Sequence, residues 1–292
     1  MRPPSSIAGH SALPEKIDRS HITSTNTSIT GRAFSQWMHG IIYRAGLPIA
    51  IILAWQLIAS LGLVSPALLP SPAYIAETFI YLIQSGELWR HVSSSAARVF
   101  QGYAIAATLA LTLGIAMGAF PKIDRVMRLL VQILKPVPPI AWIPLAILWF
   151  GIDEGSKIFI IALGAFFPIL VSTVDGIRQT DKKYVELARV LELPHHLFLT
   201  RVMLPSALPH VMTGLRLGFA LAWMCVVAAE LIAASSGIGF LIMDGRAVSQ
   251  ADLVLAGMLT LGVLGKLTDD GIQRLEKRLT GWRTDFTGLS AK

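Results

Sequence analysis

Six stretches, each about the 20 mostly apolar residues that a bilayer-spanning helix needs, recur along the chain. They fall at 45–64, 101–120, 129–150, 157–174, 210–234 and 253–269. Inside a hydrocarbon layer every backbone N–H and C=O must find its partner within the protein, so segments of this length predict helices. The composition agrees. Hydrophobic residues make up 53% and charged residues 15% of 292 positions. Soluble domains hold about a quarter charged residues. A single soluble core and a wholly disordered chain are both excluded. The expected fold is all-α: a polytopic membrane protein with about six transmembrane helices.

Residues 1–40 hold no such stretch, and Ser20–Thr30 reads SHITSTNTSIT. This predicts a polar tail and no cleaved secretory signal. The body is expected at 41–270 and a basic tail at 271–292. The net charge of +7 reads as loop charge in a membrane protein rather than as a nucleic-acid surface. Most Lys and Arg residues fall in the first tail, the loop after the second span, the loop 175–209 and the last tail. Only Arg90, Arg98, Lys157 and Arg246 fall in the opposite loops. That asymmetry places both termini in the cytoplasm. The first external loop, 65–97, repeats Ile75, Phe79, Leu82 and Ile83 at helical spacing, which predicts an amphipathic interfacial helix.

The third span contains LKPVPPIAWIP. Each proline removes an N–H and clashes with the preceding turn. Lipid does not satisfy the carbonyls so freed, so this run belongs inside protein. It is either a broken helix lining a path or a kinked structural helix. Gly114 with Gly118, and Gly214 with Gly218, form GxxxG pairs that allow close helix approach.

Ionisable residues inside spans are functional candidates by default. Glu230, in the fifth span, either lines a path or gate or pairs with a polar partner between helices. Arg216 either snorkels to the headgroups or adds positive potential along an anion path. Lys135 and Lys266 also fall within spans, and Lys266 can pair with Asp270 at i,i+4. Trp142, among the prolines, either lines a cavity or packs. The single cysteine, Cys225, reads as packing. No residue pattern supports catalysis, a metal site or a cofactor.

The loop 175–209 is the most informative segment. Residues 184–193 suit a helix, with Glu186 and Arg189 at i,i+3. Pro194 interrupts it, and a second short helix is expected over 195–203, ending before Pro205. The result is a partly apolar helix–break–helix outside the membrane, with a face that something must cover.

The segment VELARVLELPHHLFLTRVMLPSALP resembles the EAA loop of ATP-binding-cassette importer permeases. Glu186, Leu187 and Ala188 stand at the Glu-Ala-Ala positions, and Val202, Leu204 and Pro205 at the closing apolar-x-Leu-Pro. Glu192 stands where the family usually has glycine, so a positive φ there would be strained. LLPSP at 68–72, SGELWRH at 85–91, IPLAILWFGIDEGSKIF at 143–159 and SSGIGFLIMDGR at 235–246 extend the resemblance. They are similar to the aliphatic sulfonate, taurine, nitrate and bicarbonate branch, with aliphatic sulfonate permeases nearest.

The resemblance implies a type I importer permease, multi-pass in the cytoplasmic (inner) membrane, whose path carries a small anion, first an aliphatic sulfonate and alternatively nitrate, taurine or bicarbonate. A second copy would complete the path, giving a homodimer. Two cytoplasmic ATPase subunits would each receive a coupling helix, and an external binding protein would deliver the cargo. The ATPase-coupling residues would be Tyr184, Glu186, Leu187, Ala188, Arg189, Glu192, Leu193, Leu204 and Pro205. The chain has no GxxxxGK[ST] phosphate loop, so ATP hydrolysis is expected in a separate subunit and the permease is not itself an enzyme. A different class, an ion-coupled secondary transporter, would use Glu230 and Lys266 as its relay.

Overall fold

The computed structural model describes residues 46–65, 67–180 and 182–279. The tail 1–40 and residues 280–292 of the basic tail lie outside the described residues. The chain divides into two units, one ending at Leu57 and the other beginning at Ile58. The helix α1, Gly46–Ser60, is apolar but shorter than a full span.

The second unit is helical throughout its regular elements. Its order is α2 (Pro72–Gln84), α3 (Glu87–Ala119), α4 (Pro121–Leu134), a 3-10 turn (Pro139–Trp142), α5 (Ile143–Phe150), α6 (Glu154–Arg178) and α7 (Lys182–Val190). There follow α8 (His195–Phe198), a π-helical turn (Leu199–Met203), α9 (Leu204–Ala233), α10 (Ile238–Ala247) and α11 (Ala251–Leu279). Among the described residues, four helices are long and apolar enough to cross a membrane. A fifth span results if the pair Pro121–Leu134 and Pro139–Phe150 is taken as one.

Helix α6 is the centre of this unit. Ile160, Ile161, Ile169 and Leu170 are buried along its length. Glycines on both neighbours let it be approached from two sides. A Cβ on Gly114 of α3 would stand 2.8 Å from Thr173 Cβ, and one on Gly218 of α9 would stand 2.7 Å from Ile169 Cγ1. Both GxxxG pairs therefore face the same helix, and close contact replaces side-chain bulk as the source of dispersion energy.

Three boundaries differ from the sequence expectation. Helix α3 begins within the expected loop 65–97, and its His91, Ser95 and Arg98 are buried. Helix α2 does form in that loop: Ser71 accepts the Tyr74 N–H at 3.2 Å, Pro72 opens the helix, and Ile75 and Leu82 are buried while Ile83 is exposed. The stretch expected to stop before Pro205 instead runs on, with a single helix over His196–Ile232. The π-helical turn Leu199–Met203 lies directly ahead of Pro205, and its wider winding accommodates a residue that lacks an N–H. Finally, α11 extends past 270, so residues 271–279 of the expected tail are helical.

The proline run breaks the third span outright. Helix α4 stops at Leu134, and the axes on either side of Lys135–Pro138 differ by 89°. Three prolines within four residues leave no continuous ladder of N–H donors.

Candidate functional site

Three constellations hold the chemistry-bearing residues. The first is a partly buried ionic cluster where α3, α6, α9 and α10 meet. Arg98 projects from α3. Its Nε donates to Glu154 Oε2 at 2.5 Å and its Nη2 to Glu154 Oε1 at 2.8 Å. Its Nη1 donates to Glu230 Oε1 at 2.7 Å and to the Ser236 carbonyl at 2.6 Å. Lys157 donates to Glu154 at 2.9 Å. Two cations thus face two carboxylates.

Glu230 is 1% exposed and fully engaged. The Ser95 hydroxyl lies 2.8 Å from its carboxylate oxygens, and the Gly239 N–H donates to Oε2 at 2.9 Å. The first N–H groups of a helix have no partner within it, and they attract negative charge. Here Glu230 takes that of Gly239, Ser95 Oγ takes that of Ile238 at 2.8 Å, and His91 Nδ1 takes that of Gly237 at 3.0 Å. Gly237 has φ +120 and lies against the carboxylate, so a side chain there would be strained and would displace Glu230. Sequence reasoning placed Arg98 in a loop. Only the meeting of elements far apart in sequence makes it the partner of Glu230.

The second constellation is the segment between α6 and α9. Helix α7 exposes Tyr184, Glu186, Leu187 and Val190, and Leu187 is 54% exposed. Ala188 is buried. The Arg189 side chain lies outside the described residues. The helix ends with Glu192 at φ 48, in the left-handed region. The Leu193 N–H bonds back to the Ala188 carbonyl at 3.0 Å, and the Leu191 N–H to the Leu187 carbonyl at 3.0 Å. This is the reversal that glycine usually supplies after a helix. Leu193 is exposed, Leu204 is half-buried at the start of α9, and Pro205 is exposed.

The third is a cavity of about 520 Å³ among the broken span, α6 and α9. Pro138, Pro139, Phe167, Pro168, Leu221 and Met224 supply much of its apolar wall. Lys135 and Ser172 also line it. None of Trp142, Arg216 and Glu230 does. Trp142 packs against the central core, and its buried indole N–H has no partner among the described residues. Arg216 is held by Asp269 of α11, Nε to Oδ1 at 2.5 Å and Nη2 to Oδ2 at 2.7 Å. Lys266 pairs with Asp270 on the surface of α11. Among the described residues no group of three or more His, Cys, Asp or Glu side chains converges on a metal position.

Residues 106–281 match the family model described as binding-protein-dependent transport system inner membrane component. The chain is 45% identical over 258 residues to SsuC of Bacillus subtilis (strain 168), named as an aliphatic sulfonates transport permease protein, covering 88% of this chain and 92% of the relative. It is 34% identical over 237 residues to the taurine transport system permease protein TauC of Escherichia coli (strain K12), covering 80% and 86%. Among solved structures, a chain of the MetNI methionine ABC transporter in an inward-facing conformation is similar, with a TM-score of 0.59. That likeness covers 70% of this chain and 99% of the other at 17% identity, and concerns the fold alone.

Proposed function

The chain belongs to the family of binding-protein-dependent transport system inner membrane components, and from that premise we propose that it passes a small organic anion, an aliphatic sulfonate, across the membrane. It is the membrane-spanning permease subunit of an ATP-binding-cassette importer and not itself an enzyme. The observation that carries the cargo reading is the 45% identity, across 88% of this chain, to a relative named for aliphatic sulfonates. Nitrate, taurine and bicarbonate are the competing cargoes.

In this reading α7 docks into a groove of a cytoplasmic ATPase. Its exposed Tyr184, Leu187 and Val190 support that role, since an apolar face outside the membrane needs a partner. Glu186, exposed beside them, supplies a charge that sets register more than affinity. Ala188, Arg189, Glu192, Leu193, Leu204 and Pro205 shape and anchor the same segment. A second copy of the chain completes the path, and an external binding protein delivers the anion. Both termini lie on the ATPase side, as the distribution of Lys and Arg supports. An ion-coupled carrier relaying through Glu230 and Lys266 has less support. Glu230 is locked to Arg98, and Lys266 is paired with Asp270 on the surface of α11.

The test is uptake in liposomes by the chain assembled with its ATPase and binding protein, with sulfonates, nitrate and bicarbonate supplied in turn. ATP-dependent sulfonate uptake, with matching stimulation of ATP hydrolysis, is the expected result. Preference for nitrate or bicarbonate would overturn the cargo. Uptake that follows a proton gradient without the ATPase would overturn the coupling.

A further inference from the structure

We infer that Lys135 is the anion-attracting group of the translocation path. The inference rests on the small-anion reading above and assigns a residue to it. Lys135 caps the C-terminal end of α4, immediately before the prolines that break the third span. It lines the 520 Å³ apolar cavity, where it is the one charged side chain and Ser172 the one hydroxyl. It also lines a second cavity of about 240 Å³, where Arg128, Arg178, Gln132, Asp124 and Asp175 face it. Lys135 and Val171 belong to both walls, so Lys135 stands between an apolar chamber and a charged vestibule.

Several of the cations that face the same helices are occupied. Arg98 and Lys157 hold Glu154, Arg128 and Arg178 hold Asp124, and Arg216 holds Asp269. Lys135 has no ion-pair partner among the described residues. Ionisable side chains at a broken span mark candidate paths for ions or substrate, and Lys135 is exposed at this break. Its depth fits. Val171 lies about 26 Å along α6 from Glu154 and about 10 Å short of Arg178 at 1.5 Å per residue. A sulfonate keeps its negative charge throughout the physiological pH range and carries an apolar tail. An apolar chamber with a single cation at its exit suits both parts. The alternative is a lysine that merely complements the C-terminal dipole of α4. It would leave the electrostatics of the cavity unchanged for a passing ion.

The experiment uses the assembled transporter in liposomes, with Cys225→Ala removing the native thiol from the cavity and Ser172→Cys introducing one. The new thiol is labelled with anionic sulfonatoethyl methanethiosulfonate and with cationic trimethylammonioethyl methanethiosulfonate. The anionic reagent should react faster. Adding Lys135→Gln should lower the anion-to-cation rate ratio about tenfold, as expected for a charge focused by low-dielectric walls, and Lys135→Arg should restore it. Ethanesulfonate uptake, measured without Ser172→Cys, should fall with Lys135→Gln and return with Lys135→Arg. A ratio that stays within about twofold on loss of the charge overturns the inference, even if uptake falls. So does a thiol that neither reagent reaches, which would mean that another chain or lipid fills the cavity. If the ratio responds to Lys135 but the parent transporter moves no sulfonate, Lys135 keeps its role and the sulfonate reading fails.

Discussion

Glu230 read, in sequence, either as lining a path or as paired between helices, because a bare carboxylate inside a span demands an explanation. The structure gives it Arg98, Ser95 and the Gly239 N–H at the start of α10 as partners. Breaking a buried pair by removing one member typically costs about 3–5 kcal/mol, because the other charge is left without compensation. Glu230→Ala should therefore lower the thermal midpoint of the detergent-purified chain strongly. Arg98→Met combined with Glu230→Met should cost less than the sum of the two single changes. An unchanged midpoint in Glu230→Ala would show that the cluster does not hold these helices together. Glu192 is the converse case. It occupies a left-handed backbone position that costs an L-residue roughly 1–2 kcal/mol. Glu192→Gly should relieve that strain and slow hydrogen exchange at the Leu191 and Leu193 amides. Faster exchange would mean that the carboxylate contributes more than the backbone loses.

At the scale of elements, α6 depends on the absence of side chains opposite it. Gly218→Leu would place a branched side chain where Ile169 already lies within 2.7 Å of a single added carbon. Overpacking of this kind costs typically about 1–3 kcal/mol and shifts backbones. The variant should lose its monodisperse profile in detergent sooner on warming than Gly262→Leu, where an added Cβ meets nothing within 4 Å. The coupling segment makes a different demand. Glu186 is exposed on α7, and among the described residues no hydrogen bond or ion pair holds it. Glu186→Lys should leave the permease folded while separating ATP hydrolysis from uptake in the reconstituted transporter. Coupled transport at the normal rate in that variant would remove Glu186 from the docking surface.

For the whole molecule, the ends of α6 are pinned while its middle borders the cavity. Glu154 ties one end to α3, and Arg178 ties the other to Asp124 of α4. Asp252 ties α11 to Thr78 of α2 at 2.6 Å. The first 30 residues read in sequence as a polar tail, so their deletion should leave sulfonate uptake intact at equal expression. A loss of uptake would give that tail a role in transport.

What the sequence determined by itself follows from local physical chemistry. Apolar runs of spanning length, the proline cluster, the GxxxG pairs and the helix–break–helix with its Glu-Leu-Ala start act through backbone hydrogen bonding and steric fit within one segment. They made the all-α membrane class and the helix–break–helix legible, and left the third span as either broken or kinked. Sequence periodicity could not give the partners of the charges. Arg98 sits among serines that read as a loop, and it is helical and buried because Glu154 and Glu230 arrive from α6 and α9. Lys135 was visible as a lysine inside a span, but whether it had a partner depended on where Asp124, Arg128 and Arg178 came to rest. Charges act through space, so only the tertiary structure decides which are neutralised and which is left to meet an ion.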